Sequence, residues 1–264
     1  MNQPSPEGDA TTRRLHACID ETERNNPPGE SWYLMCAVTI DVRCDSNKEA
    51  MNRLDGIAQR QPADRLNRRG LHANQMARTG TGTRDLFDAE QIIANDTSLH
   101  IDIAVKPVRQ GQTFEHTRQT CLTQLLTHLD NNVTTIMLDT RDPLDGKTRK
   151  PRPGTDPATG RPLVNHHDQH TIIQLQASTR LKKDVDVIWA DDTRYHHLWL
   201  PDVIAYACGQ ALANNNPARL ARLADQLNIQ DTQAKTQPPG TGIADKLEHL
   251  RQQATHQTAP RPCD

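Results

Sequence analysis

The chain has 264 residues, a formal net charge of −2 from 31 Lys and Arg against 33 Asp and Glu, and 34% hydrophobic residues. One main core is expected at this length. With a mean hydropathy of −0.78 and no apolar run near the roughly 20 residues that span a bilayer, a membrane protein is excluded; near-neutrality means that any contact with nucleic acid has to come from local basic patches.

Residues 1–14 are polar, lack the apolar stretch of a secretory signal, and are expected to form a flexible tail. The short apolar run 15–20 (LHACID) and the longer β-branched and aromatic run 32–42 (WYLMCAVTIDV), separated by a turn at 25–29, predict a hairpin. Residues 47–59 place Ala50, Met51, Leu54, Ile57 and Ala58 at helical spacing. The glycines of TGTGTR, 79–84, suggest a flexible turn, and a helix is expected over 85–95 with Asp85 as its N-cap. Residues 99–108 (LHIDIAVKPV) alternate, with Leu99, Ile101, Ile103 and Val105 on one face, as in a strand with one buried side.

The second half alternates helix and strand. Helices are expected over 114–129, 170–181 and 198–212, strands over 133–139 and 185–189, and a long Pro- and Gly-rich loop over 140–165. Pro201 falls in the first turn of the third of these helices, where proline is tolerated. Two weaker helices, 219–227 and 243–253, follow around a TQPPGTG linker. The pattern predicts an α/β fold: a mixed five-stranded sheet with helices on both faces, occupying 15–214, with an insertion at about 46–97 and a C-terminal helical appendage over 215–264. That appendage is a candidate surface for a homo-oligomer or a protein partner. Cys18, Cys36, Cys44, Cys121, Cys208 and Cys263 show no CxxC spacing, and four lie in apolar runs, which points to a reducing, cytoplasmic setting without disulfides or a zinc ribbon.

Chemistry in open α/β sheets gathers where strands finish. Asp20 and Glu21 close the first apolar run, Asp139 the run at 133–139, Asp191 and Asp192 follow the next strand, and Asp202 opens the most apolar helix. Each alone reads as a turn or cap residue. Several carboxylates meeting at one edge repel unless a cation sits among them, and hard oxygen donors select Mg2+ or Mn2+.

The motifs ACIDET (17–22), LHANQM (71–76), IMLDT (136–140) and LPDVIAYACG (200–209), in this order, resemble the bacterial domain of unknown function 3800 family, placed among RNase H-like folds. Asp20, Glu21, His72, Asp139 and Asp202 match that pattern, and the likeness spans about 15–212. Pro201, in place of a small residue, departs from the pattern, as does the lack of a Ser or Lys-Ser pair before that helix. The resemblance implies a divalent-metal-dependent, RNase H-like nuclease that hydrolyses phosphodiesters of RNA or DNA. Asp20 would be shared between two ions, with Asp139 and Asp202 each completing one set of ligands. Glu115 is the expected helix ligand, and Glu21 competes with it. His72 is a catalytic or supporting candidate. Lys147, Arg149, Lys150 and Arg152, in the loop after Asp139, are candidates for holding substrate phosphates. The alternative is a catalytically degraded module of the same fold that binds nucleic acid or a protein partner, and a third reading is a hydrolase of small phosphate esters. The histidines at 166, 167 and 170 are taken as surface groups, and Trp189 and Trp199 as core.

Overall fold

A computed structural model describes residues 14–24, 31–62, 70–140, 164–192, 194–230 and 242–258. The elements in chain order are β1 (Leu15–Arg24), β2 (Trp32–Asp41), α1 (Asp45–Ala58), α2 (Ala73–Met76), α3 (Gly80–Asn95), β3 (His100–Pro107), α4 (Phe114–His128), β4 (Val133–Asp139), α5 (Val164–Ala177), β5 (Asp186–Ala190), α6 (Trp199–Asn214), β6 (Leu227–Gln230) and α7 (Ile243–Thr258). The strands form one sheet in the order β5-β4-β1-β2-β3-β6. β2 is antiparallel to β1 and β3, and every other pairing is parallel. The run β3-β2-β1-β4-β5 with a single reversed strand is the mixed sheet of the RNase H-like class, with helices on both faces.

Alternating residues divide the core in two. Cys18, Leu34, Cys36, Val38 and Met137 face a layer made by α1, α3, α6 and α7, whereas Ala17, Ile19, Tyr33, Met35, Ile136 and Leu138 face α4 and α5. Nine of the ten residues of β2 are buried, which explains its near-continuous apolar sequence. In α6, Leu200, Val203, Ile204 and Leu212 are all buried. At about 1.5–3 kcal/mol of gross burial each, they outweigh the 0.3–1 kcal/mol that an acidic first-turn residue offers a helix. Apolar packing therefore sets the position of α6. Gly209 permits its close approach to the sheet, because a Cβ there would lie 3.0 Å from Thr22 Cγ2 and 3.2 Å from Trp32 Cη2.

Several elements differ from expectation. The sheet has six strands rather than five: residues 219–227 form 3-10 turns, Pro217–Leu220 and Ala224–Gln226, and then β6 pairs with the β3 edge. The segment after 214 is thus not purely helical. α7 buries Leu247, Leu250 and Ala254 in the same core as α6, so its apolar face is already covered within the chain. The glycine-rich 79–84 stretch is the start of α3, not a turn. Thr79, rather than Asp85, is the cap, its Oγ1 accepting from Gly82 N at 3.0 Å. A Cβ on Gly82 would lie 2.2 Å from the Met76 carbonyl oxygen, so the glycine serves the packing of α3 on α2. β3 is buried on both faces: Asp102 accepts from Asn228 Nδ2 at 2.6 Å and Gln230 Nε2 at 3.1 Å, which β6 supplies. α5 starts well before residue 170 and carries His166, His167 and Asp168 within it. β1 runs on to Arg24, so Asp20 and Glu21 lie inside the strand and not at its end. Among the described residues no helix is long and apolar enough to cross a membrane.

Candidate functional site

β1 and β4 run parallel, with Cys18 opposite Met137 and Ile19 opposite Leu138. One step further this register sets Asp20 beside Asp139, where the paired stretch ends. Both carboxylates share the face of Cys18 and Met137, the face covered by α6. Asp139 pairs in turn with Ala190, the last residue of β5, and Asp191 and Asp192 follow directly. Thr140 N donates to Ala190 O at 2.9 Å, fastening the end of β4 against β5. α6 delivers Asp202 in its first turn. These carboxylates, together with His72, Asn74, Gln75 and Arg78 from the α2 segment, line one cavity of about 780 Å³.

Within it, Asp20 Oδ1 accepts from Glu21 N at 2.7 Å. Asp202 Oδ2 accepts from Ala73 N at 2.9 Å, tying α6 to the start of α2. His72 Nδ1 lies 3.1 Å from Asp192 Oδ2. Burial, followed by the charges of Asp202, Asp139 and Glu21, holds the Asp20 carboxyl well above the usual carboxylate range. Asp139 is pushed up to about 8 by burial and by Asp192, Glu21 and Asp202, against an opposing Thr140 N–H. Asp202 rises to about 6 through burial, with the Ala73 N–H and His72 limiting the rise. The three groups thus share a poorly solvated region in which each disfavours the others' ionisation.

Glu21 points to the opposite face of β1. Its Oε2 accepts from Arg118 Nε at 3.3 Å and Nη2 at 3.1 Å. Arg118, on α4, also pairs through Nη1 with Asp168 Oδ1 of α5, and both of these side chains are almost wholly buried. Glu115 is a further carboxylate acting on Arg118. It lines the carboxylate cavity no more than Glu21 does, although the charge of Glu21 reaches Asp20 and Asp139. The structure therefore gathers Asp20, Asp139, Asp202 and His72 at one cavity and sets Glu21 and Glu115 with Arg118 behind the sheet. Lys147, Arg149, Lys150 and Arg152 lie outside the described residues. Asp191 and Asp192, named from the sequence among the strand-end carboxylates, also line the cavity, and Asn74, Gln75 and Arg78 join it without having been singled out as site residues. Asn74 and Gln75 lie within the LHANQM motif and Arg78 two residues after it, so that motif was the available signal.

No family model and no curated protein matches the chain. A solved structure, the ribonuclease H2 from Pyrococcus horikoshii OT3, is similar at 15% sequence identity over 90% of this chain and 99% of that one, with a TM-score of 0.39. Likeness at that level assigns neither substrate nor catalytic residues, and the functional reading rests on the cavity itself. Its donor set, in which carboxylate oxygens predominate among the described residues, suits a hard divalent cation. Among the described residues, no three His, Cys, Asp or Glu side chains are gathered into a group that could hold a metal ion, so a cation would have to draw these side chains inward.

Proposed function

We propose that this chain is a divalent-metal-dependent hydrolase of nucleic-acid phosphodiesters, of the RNase H-like type, with its centre at Asp20, Asp139 and Asp202. The observation that supports this most is that three carboxylates from β1, β4 and α6 meet in one poorly solvated cavity and raise one another's affinity for protons. Such a cluster is a functional-site candidate on physical grounds. Mg2+ or Mn2+ held there would supply a water activated for attack and charge for the leaving oxygen. Asp20, Asp139 and Asp202 are the residues that would hold the ion. Asp192 orients His72, whose other ring nitrogen is left for moving a proton at the leaving oxygen. Arg78, with Asn74 and Gln75, gives the acidic cavity the cation and amides with which to hold a phosphate.

The reading is tested by incubating the full chain with labelled RNA, single-stranded DNA and duplex DNA, with Mg2+ or Mn2+, beside the Asp20→Asn variant. Cleavage that needs the metal and is lost in the variant supports it. Cleavage unchanged by the substitution overturns it. One observation favours a second reading, a module that binds nucleic acid without cutting it: the donors do not stand in a ready metal-holding group among the described residues. Metal-independent binding without cleavage of any of the three substrates would select that reading.

A further inference from the structure

Of the three clustered carboxylates, Asp202 is the one delivered by a helix, and α6 begins without a side-chain cap: its N-cap residue, Leu198, makes no capping bond. The Asp202 side chain is engaged elsewhere in the chain, with Oδ2 accepting from Ala73 N at 2.9 Å. Side-chain capping therefore does not fix the first turn of α6. We propose that His196 and Trp199 are positioning residues for the candidate site, a stacked pair moored to α1 by Asp55 that sets Asp202 and His72 in place relative to each other. Its effect on cleavage rests on the nuclease reading, and its effect on the arrangement of the site does not.

Trp199 is the first residue of α6 and is 1% exposed. The imidazole of His196, in the 3-10 turn His196–Leu198 just before the helix, stacks on the indole with ring centroids 4.1 Å apart and planes 11° from parallel. His196 Nδ1 lies 2.8 Å from Asp55 Oδ1, so the stacked ring is itself held from α1. The edge of the indole faces the segment before α2. A Cβ on Gly70 would lie 3.6 Å from Trp199 Nε1 and 3.5 Å from His72 Nε2, so the two ring nitrogens flank the place where Gly70 has no side chain. Among the described residues Trp199 Nε1 has no hydrogen-bond partner. Its orientation thus comes from packing and from the face-to-face stack.

Trp199 and Asp202, three residues apart, share one face of the first turn of α6, and Gly70 is three residues from Ala73. One rigid indole therefore lies beside both of the segments that the Ala73–Asp202 bond joins. With the stack removed, the start of α6 and the 70–73 segment move more independently, that bond opens more often, and Asp202 and His72 spend less time in place beside Asp20 and Asp139. The His196 and Asp55 side chains are 39% and 44% exposed, so His196 can be replaced without opening the core, as replacement of Trp199 would.

The test uses the full chain with His196→Ala, which removes both the stack and the contact with Asp55, and with His196→Phe, which keeps a ring to stack. The first readout is amide exchange at Ala73, measured without divalent ions and well below melting. In His196→Ala it should quicken about fivefold, the order of one aromatic contact, while Ala205 and Ala207, further along α6, keep their rates and His196→Phe restores the parent rate at Ala73. The second readout is cleavage with Mn2+, in which kcat should fall by a similar factor in His196→Ala with KM unchanged, and recover in His196→Phe. Exchange at Ala73 that stays at the parent rate, quickens equally along all of α6, or is not restored by His196→Phe would overturn the proposal. So would a fall in kcat with Ala73 unchanged, since His196 would then act on the substrate itself. A parent chain that cleaves nothing would end the nuclease reading alone, and the exchange rates would still decide for or against the brace.

Discussion

Asp139→Asn removes one charge from the carboxylate cavity at almost constant shape. In the folded chain the Asp139 carboxyl keeps its proton up to about pH 8, whereas its ordinary value is 3.8. Between those limits the folded state binds a proton that the unfolded chain has released. Its stability therefore falls as pH rises, the contribution being complete below about pH 4 and lost above about pH 8. Four pH decades at about 1.36 kcal/mol each set a ceiling of about 6 kcal/mol. Because the Asp139 side chain is only half-buried, screening reduces this, and about 2–3 kcal/mol is the share expected in solution. For a chain of this size each kcal/mol moves the melting temperature by about 2–4 °C, so Asp139→Asn should melt on the order of 5–10 °C above the parent at pH 9. At pH 4, where both side chains are neutral, the two should coincide. Scanning calorimetry of both proteins at pH 4, 6, 7.5 and 9 without divalent ions measures this directly. Adding Mg2+ or Mn2+ at pH 7.5 should raise the melting temperature of the parent more than that of the variant. Parallel pH curves for the two proteins would refute the claim that Asp139 shares a poorly solvated cavity with Asp20 and Asp202.

Arg118→Met leaves Glu21 and Asp168 facing each other behind the sheet without their cation. Urea denaturation should show a loss of about 3–5 kcal/mol, and a loss under 1 kcal/mol would mean that the network is not buried as described. In Gly82→Ala the new Cβ meets the Met76 carbonyl at 2.2 Å, so α2 and α3 must separate at a cost of about 1–3 kcal/mol. Amide exchange should then speed up over residues 73–76, and unchanged exchange there would count against the packing argument. Arg78→Ala should raise KM for a nucleic-acid substrate and reduce the slope of log affinity against log salt by about one. A drop in kcat with the salt slope intact would place Arg78 elsewhere in the reaction.

Elements with a long periodic signal were legible from sequence. β4 occupies the 133–139 expected, and α4 and α6 fall within two residues of their anticipated bounds. What was missed depends on partners far away in the chain. β6 is four residues, too short for an alternation to declare itself, and forms because the β3 edge offers it a ladder. Gly80 and Gly82 read as a turn from composition, yet one is helical because Thr79 caps it and the other because only a glycine fits beneath Met76 O. The opposed directions of Asp20 and Glu21 follow from strand alternation alone. That Glu21 meets a buried arginine, 97 residues on, does not.

The same limit explains which part of the site could be read. The residue types at strand ends signal a carboxylate cluster, but only the β1–β4 register makes Asp20 and Asp139 neighbours, and that register is fixed by apolar pairs such as Ile19 with Leu138. The sheet then treats its two faces unequally. Behind it, Glu21 and Asp168 have Arg118. In front, Asp20, Asp139 and Asp202 raise one another's proton affinity, and Arg78 and His72 are the basic side chains among the described residues lining that cavity. Concentrating like charge in this way opposes folding, and the buried aliphatic side chains of α6 and β2 are what hold the fold against it. Among the described residues the front face stays mostly acidic, which is intelligible if part of the compensating charge comes from a divalent ion, and this asymmetry supports the proposed centre at Asp20, Asp139 and Asp202.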